Sequence, residues 1–215
     1  MVTLADPKPG AEALDVWSDP AKERIGTSAT VITFVRTVIA VALGVYAARE
    51  QDLGLLIAAL GVYWVGDMLD GYVARVRGCE TRIGAALDIL CDRFCCAVFY
   101  VGLMWLEPDL SPAIVIYLAE FMVIDCFLSL AFLAWPVRSP NYFYVIDRPT
   151  WLWNWSKPAK AVNSSLFAVL LLVVNEYVGA GWAVTLGTLI ASSLLVMKCV
   201  SLARLVRIGI PIPSR

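Results

Sequence analysis

The sequence predicts an all-α membrane protein, with six transmembrane helices behind a short amphipathic N-terminal segment at the membrane surface. Three observations predict this class. Of the 215 residues, 60% are hydrophobic and only 16% are charged, whereas an ordinary soluble domain carries about a quarter charged residues. The apolar residues fall into six long blocks, each near the ~20 residues that a helix needs to cross the hydrocarbon of a bilayer. None of these blocks shows the alternation of a membrane β-strand.

In chain order, residues 1–26 mix acidic and basic side chains and lack the apolar core of a signal peptide. Residues 11–17 suit either a short surface helix or a loose tail. The domain proper is expected over residues 27–215. The six predicted spans are residues 30–48, 53–73, 85–106, 112–135, 159–178 and 182–208. There is no internal repeat. The six cysteines include no CxxC pair and read as reduced, small apolar side chains. The eight tryptophans read mainly as an interfacial belt, with Trp151, Trp153 and Trp155 just ahead of the fifth span.

The connecting segments orient the chain. Lys8, Lys22, Arg24, Arg75, Arg77, Arg82, Arg138, Arg148, Lys157, Lys160, Arg204, Arg207 and Arg215 fall on one side, and only Arg49 falls on the other, among Glu50, Asp52, Glu107, Asp109 and Glu176. The excess of cations marks the cytoplasmic side. Both termini are therefore expected in the cytoplasm, in what would be a bacterial inner membrane. No nucleic-acid partner is expected.

The chemistry lies in carboxylates where lipid disfavours them. Asp67 and Asp70 sit at the cytoplasmic end of the second span, and Asp88 and Asp92 in the cytoplasmic half of the third. Each costs roughly 2.5–3.5 kcal/mol at the centre of a spanning helix. Asp67, Asp70, Gly71 and Ala74 follow i, i+3, i+4, i+7 and share a helix face; Gly84, Asp88 and Asp92 share another. Facing one another, the two helices bring four carboxylates to one place, which calls for a cation between them. All-oxygen ligation selects Mg²⁺ or Mn²⁺, and Mg²⁺ commonly shares such sites with substrate phosphates. The arginines Arg75, Arg77 and Arg82 in the intervening loop suit a pyrophosphate. With no histidine in the chain, acid–base work falls to carboxylates or to Lys, Tyr and Cys. Two other readings of the acids stay open: structural ion pairs with nearby arginines, or the ion path of a transporter.

The run Asp67-Met-Leu-Asp70-Gly71-Tyr-Val-Ala74-Arg75, eight residues, Gly84, three residues, Asp88, three residues, Asp92 resembles the signature of the CDP-alcohol phosphotransferase family. All its fixed positions and gaps are matched. The resemblance implies a membrane enzyme of phospholipid synthesis. It would use Mg²⁺ or Mn²⁺ to transfer a phosphatidyl group from CDP-diacylglycerol to an alcohol, with release of CMP. It implies Asp67, Asp70, Asp88 and Asp92 as metal ligands, Asp92 also as the base for the acceptor hydroxyl, and Gly71, Ala74, Arg75, Thr81 and Gly84 around the CDP-lipid. It also implies a homodimer.

A second pattern in the first span, Ser28-Ala29-Thr30-Val-Ile-Thr33-Phe-Val-Arg36, is similar to the family's T-P-N-x-x-T-x-x-R, with Ala29 and Thr30 in place of Pro and Asn. It adds Thr30, Thr33 and Arg36 to the expected donor site. Arg36 reads equally as a donor contact or a structurally paired charge.

For the acceptor, a small polyol or a phosphorylated alcohol, the candidates are Asp125, Arg138, Arg148, Lys157, Lys160 and Lys198. The second half of the chain loosely resembles phosphatidylinositol synthase-type members, through the 81–93 run, Asp125, Ser156-Lys157-Pro158, Asn175-Glu176, Lys198 and Ser201. Inositol or inositol phosphate is the expected acceptor. The 157–163 segment equally resembles members that act on glycerol 3-phosphate or phosphatidylglycerol, so these stay as alternatives.

Overall fold

In a computed structural model the described residues are 16–210; the expected surface segment at 11–17 falls mostly outside them. The described chain is helical, with no strand beyond one isolated antiparallel bridge between Trp17 and Val137. Six helical stretches are long and apolar enough to cross a membrane: Ser28–Glu50, Leu53–Val76, Arg82–Leu106, Pro108–Ala134, Arg148–Tyr177 and Ala180–Ile208. They are spans 1 to 6 below, and they make the chain a multi-pass integral membrane protein. All six lie close to the expected blocks, and the fourth and fifth start earlier than hydropathy placed them.

Caps explain the boundaries. The Thr27 hydroxyl accepts from the Thr30 amide to open span 1, and the Asp52 carboxylate accepts from the Leu55 amide to open span 2. Between them the turn closes on Gln51, the one non-glycine residue with positive φ (54°) among those described. Thr81 opens span 3 by accepting from the Gly84 amide at 3.1 Å. Upstream, Glu23 adds a second cap, its two carboxylate oxygens accepting from the Arg82 and Ile83 amides at 3.0 and 3.2 Å. Its negative charge there meets the positive end of the helix dipole. Residues 16–18 are held as well, because Ser18 donates to the Pro136 carbonyl and Arg138 donates to that of Val16.

Spans 4 and 5 depart from regular α-helix. Span 4 contains a π-helical turn at Glu120–Asp125, and span 5 another at Ala161–Leu166. Such turns widen the helix locally and recur at functional sites. Span 5 is also broken at Trp155 and Ser156, between the short helix Arg148–Asn154 and the residues that follow. Asp147 caps that short helix and is held by Arg204 through paired bonds of 2.7 and 2.9 Å.

Two apolar clusters hold the bundle. The larger joins spans 1 to 6 around stacked rings, with Tyr117 and Phe167 centroids 4.2 Å apart and Tyr117 and Phe121 5.4 Å apart. The smaller lies under the connector 135–147 and packs Phe143 edge-on to both Trp135 and Trp155. Trp155 is therefore buried and does not belong to the expected interfacial belt, whereas Trp153 is exposed. Small residues set the helix spacing, since lipid supplies little hydrophobic drive between helices. A Cβ on Gly187 would meet Leu171 at 2.7 Å and Ala113 at 2.9 Å. The six cysteines are free, as their spacing suggests.

Candidate functional site

The paired faces of spans 2 and 3 meet as the helical spacing requires. Single carboxylate oxygens of Asp67, Asp70 and Asp88 all lie within 4.8 Å of one another. Asp92, one turn beyond Asp88, joins them through a shared partner, Arg36 of span 1. The Arg36 Nη2 group donates to Asp88 Oδ1 at 2.6 Å and Asp92 Oδ1 at 2.7 Å, and lies 3.6 Å from Asp67. Its Nε donates to Asp70 Oδ2 at 2.7 Å, and the Thr33 hydroxyl donates to the same oxygen at 2.8 Å. Asp70 and Arg36 are buried, whereas the Asp67 side chain is 42% exposed. The four acids thus form one charged wall, accessible at one end. An all-carboxylate set gathered around a single guanidinium has the charge and donor chemistry that hard divalent cations select.

Two cavities flank this wall. The first is lined by Thr30, Thr33, Asp70, Gly71, Ala74, Arg75, Thr81, Gly84 and Asp88, with the loop residues Cys79 and Glu80. Seven of the eight residues expected around a CDP-lipid therefore line one space, the exception being Arg36, which is bonded into the acids. Sequence alone left Arg36 between these two roles. Thr81 combines wall and cap, since its hydroxyl also donates to the Arg24 carbonyl. Gly84 is kept small by that same hydroxyl, which a Cβ would meet at 2.8 Å.

The second cavity, about 210 Å³, lies on the other side of the acids. Asp67, Asp88 and Asp92 form its near wall, and Arg93, Asp125, Asn154, Lys160, Asn163 and Lys198 stand around it. Both π-helical turns contribute to it, through Asp125 and Asn163. Of the expected acceptor residues, Asp125, Lys160 and Lys198 face this space; Arg138, Arg148 and Lys157 do not line it. Arg138 instead lies over the Tyr142 ring, 5.6 Å from its centroid. Asp125 is the shared anion of two buried cations, accepting from Arg93 and lying 2.5 Å from Lys198 Nζ. Lys160 donates to Asn141 at 2.6 Å.

Several polar atoms on this cavity have no hydrogen-bond partner although buried: Arg93 Nε, Ser139 Oγ and Asn154 Oδ1. Buried polar groups are nearly always paired, so these three keep unused hydrogen-bonding capacity beside the cavity. Sequence reasoning passed over Arg93, Asn154 and Asn163. Arg93 had a signal, being a charge within a span next to Asp92, and Asn163 closed the 157–163 segment; Asn154 had none. At the rim, Tyr142 donates to Glu80 at 2.7 Å, tying the connector to the 2–3 loop. Burial and the Glu80 carboxylate push the Tyr142 phenol up to about 12.

A family model described as CDP-alcohol phosphatidyltransferase matches residues 26–203. The chain is similar to a phosphatidylinositol phosphate synthase of Mycobacterium tuberculosis (strain ATCC 25618 / H37Rv), with 40% identity over 85 residues, 38% of this chain and 38% of that protein. It is similar to the Mycolicibacterium smegmatis protein of the same name, 34% identical over 110 residues, 47% of this chain and 49% of the relative. The chain thus spans less than half the length of these curated relatives. No solved structure matches.

Proposed function

The chain belongs to the CDP-alcohol phosphatidyltransferase family, and on that premise we propose that it transfers the phosphatidyl group of CDP-diacylglycerol to an inositol phosphate, releasing CMP. The observation that carries this reading is the position of the four aspartates, between a cavity walled by the Gly71–Arg75 face and a second that Arg93, Lys160 and Lys198 also line. Transfer needs two substrates meeting at one phosphorus, and this arrangement supplies two chambers with a common wall.

In this reading Asp67, Asp70, Asp88 and Asp92 would hold Mg²⁺ or Mn²⁺. The bound metal supplies charge neutralisation for the pyrophosphate and for the departing CMP. The chain's own groups do the rest. Gly71 and Ala74 leave room for the nucleotide against span 2, and Arg75 offers its guanidinium to a phosphate. Asp92, on the acceptor side of the wall, takes the proton of the acceptor hydroxyl. The acceptor oxygen attacks the phosphorus that carries diacylglycerol, a new P–O bond forms, and the bond to CMP breaks in line.

A phosphorylated acceptor is favoured by the charge around the second cavity. Arg93 and Lys198 pair with Asp125, and Lys160 also lines the cavity, so once a metal offsets the aspartate wall these three cations outnumber the remaining Asp125 carboxylate. The unpaired Ser139 Oγ and Asn154 Oδ1 suit the hydroxyls of a polyol. Phosphatidyl transfer to inositol phosphate would yield the lipid in the printed name of the similar mycobacterial proteins. The excess of Lys and Arg at this end of the bundle supports a cytoplasmic active site and cytoplasmic termini. Family resemblance supports a homodimer, which cross-linking in native membranes would test.

The decisive assay is CMP release by the purified chain in detergent with CDP-diacylglycerol and Mg²⁺, against inositol phosphate, inositol, glycerol 3-phosphate and phosphatidylglycerol in turn. Release that requires inositol phosphate, and that vanishes in Asp92→Asn, is the expected result. Release with glycerol 3-phosphate alone would reassign the acceptor. Neither release nor CDP-lipid binding would remove the enzyme reading and return the buried acids to an ion path.

A further inference from the structure

Arg36 stands among the aspartates in a way the transfer reaction does not require. One nitrogen, Nη2, donates to Asp88 Oδ1 and to Asp92 Oδ1 and approaches Asp67, while Nε holds Asp70. The fold makes room for it there. A Cβ on Gly66, the residue before Asp67, would meet Arg36 Cδ at 2.5 Å and Cβ at 2.6 Å, so the side-chain stem lies directly on the glycine backbone. Thr33, one turn earlier on span 1, shares Asp70 Oδ2 with Nε and fixes that end of the guanidinium. The other end is held less completely, since Nη1 is buried without any hydrogen-bond partner.

We propose that Arg36 is a tethered counter-cation that competes with the divalent metal for the Asp88 and Asp92 oxygens, and so sets the metal affinity of the site. This rests on the reading that the four aspartates hold a metal. Four carboxylates on apposed spanning helices repel one another unless a cation lies between them, and Arg36 is the cation the chain itself provides. A hard divalent ion binds carboxylate oxygens at about 2.0–2.1 Å. Two oxygens that already converge on one nitrogen cannot bring an ion to that distance without shedding the nitrogen. Metal entry therefore releases Nη2 from Asp88 and Asp92, while the bond from Nε to Asp70 can persist. The unpaired Nη1 means that the guanidinium gives up a partial set of bonds on leaving. Arg36 is thus a positioning residue: it holds the acids together before loading and yields them on loading.

The test is Mn²⁺ binding to the purified chain in detergent, read from the paramagnetic resonance signal of free Mn²⁺ without substrate. Arg36→Gln removes the competing charge and keeps a polar side chain. Because charge-assisted hydrogen bonds of this kind are lost when the metal binds the native protein, the variant is expected to bind Mn²⁺ about ten- to a hundred-fold more tightly. Arg36→Lys keeps a positive charge but not a fork that reaches three carboxylates, and is expected to show a smaller tightening of several-fold. It serves alone should Arg36→Gln not be recovered folded. Unchanged or weaker Mn²⁺ binding in the folded variants would overturn the proposal, because Arg36 would then be orienting the carboxylates from oxygens that the metal does not use. Absence of saturable Mn²⁺ binding in the native chain and in both variants would overturn the metal reading itself along with it.

Discussion

Asp125→Asn tests the buried charge balance behind the second cavity most directly. Asp125 accepts from Arg93 and lies 2.5 Å from Lys198, with side-chain exposures of 9%, 10% and 2% for Asp125, Arg93 and Lys198. The substitution keeps the shape and removes the anion that is paired directly with both buried cations. Breaking a buried ion pair from one side costs about 3–5 kcal/mol, because the remaining charge keeps its desolvation penalty. Here two charges remain, so the upper half of that range applies. For a chain of this size, each kcal/mol shifts Tm by about 2–4 °C, which places the loss between roughly 8 and 20 °C. Lys198→Met is the companion variant. It leaves Asp125 paired with Arg93, so no buried charge is left without a partner and the penalty of an uncompensated charge does not arise. Thermal unfolding of both single variants and the double variant in one detergent gives a double-mutant cycle. The expected result is a large loss in Asp125→Asn, a small one in Lys198→Met, and a double variant more stable than Asp125→Asn. A Tm within 2 °C of the native protein for Asp125→Asn, or strict additivity, would refute the claim that this triad is a coupled unit.

Asp92→Asn should lower kcat for CMP release by about 10²- to 10⁴-fold, the range for loss of a general base, while equilibrium binding of CDP-diacylglycerol is retained. Chelation with EDTA should abolish release, and added Mg²⁺ or Mn²⁺ should restore it in the same sample. Gly187→Ala should cost about 1–3 kcal/mol by overpacking against Leu171 and Ala113; Gly181→Ala, with nothing within 4 Å of its new Cβ, should leave the unfolding midpoint unchanged or raised. The Arg204 bonds hold the Asp147 carboxyl down at about 2, below its value of about 3.9 in an unfolded chain. A depressed carboxylate contributes its stability above the unfolded pKa and loses it as pH falls through the folded one. The Tm difference between native protein and Asp147→Asn should therefore be full at pH 7 and close between about pH 4 and pH 2. A difference that persisted at the acid end would show that shape, not charge, holds this cap.

Much of the site was legible because it is local. The spacing of Asp67, Asp70, Gly71 and Ala74 puts them on one face of any helix, and the same holds for Gly84, Asp88 and Asp92. Apolar length located six spans whatever their packing. The acceptor side was not legible in that way. Arg138, Arg148 and Lys157 are charged residues of the same region as Lys160, yet only Lys160 faces the cavity. Lys157 and Lys160 share the short helix that follows the break at Trp155 and Ser156, and how that helix is turned against the other spans is decided by packing, which no sequence period carries. Trp155 left the expected belt for the same reason, turning inward onto Phe143.

The sequence by itself determined the membrane class, the number of spans, the signature acids and the excess of cations at one end. Each of these is a matter of solvent preference or of spacing within one helix, and neither depends on which helices touch. Only the tertiary structure decided that Arg36 lies among the four aspartates and not against the donor cavity, that Arg93 and Lys198 share Asp125, and that Glu23 caps span 3. Those pairings join residues 32 to 73 positions apart in the chain. A charge buried in lipid must find a partner, but which partner it finds depends on how the helices are arranged around it.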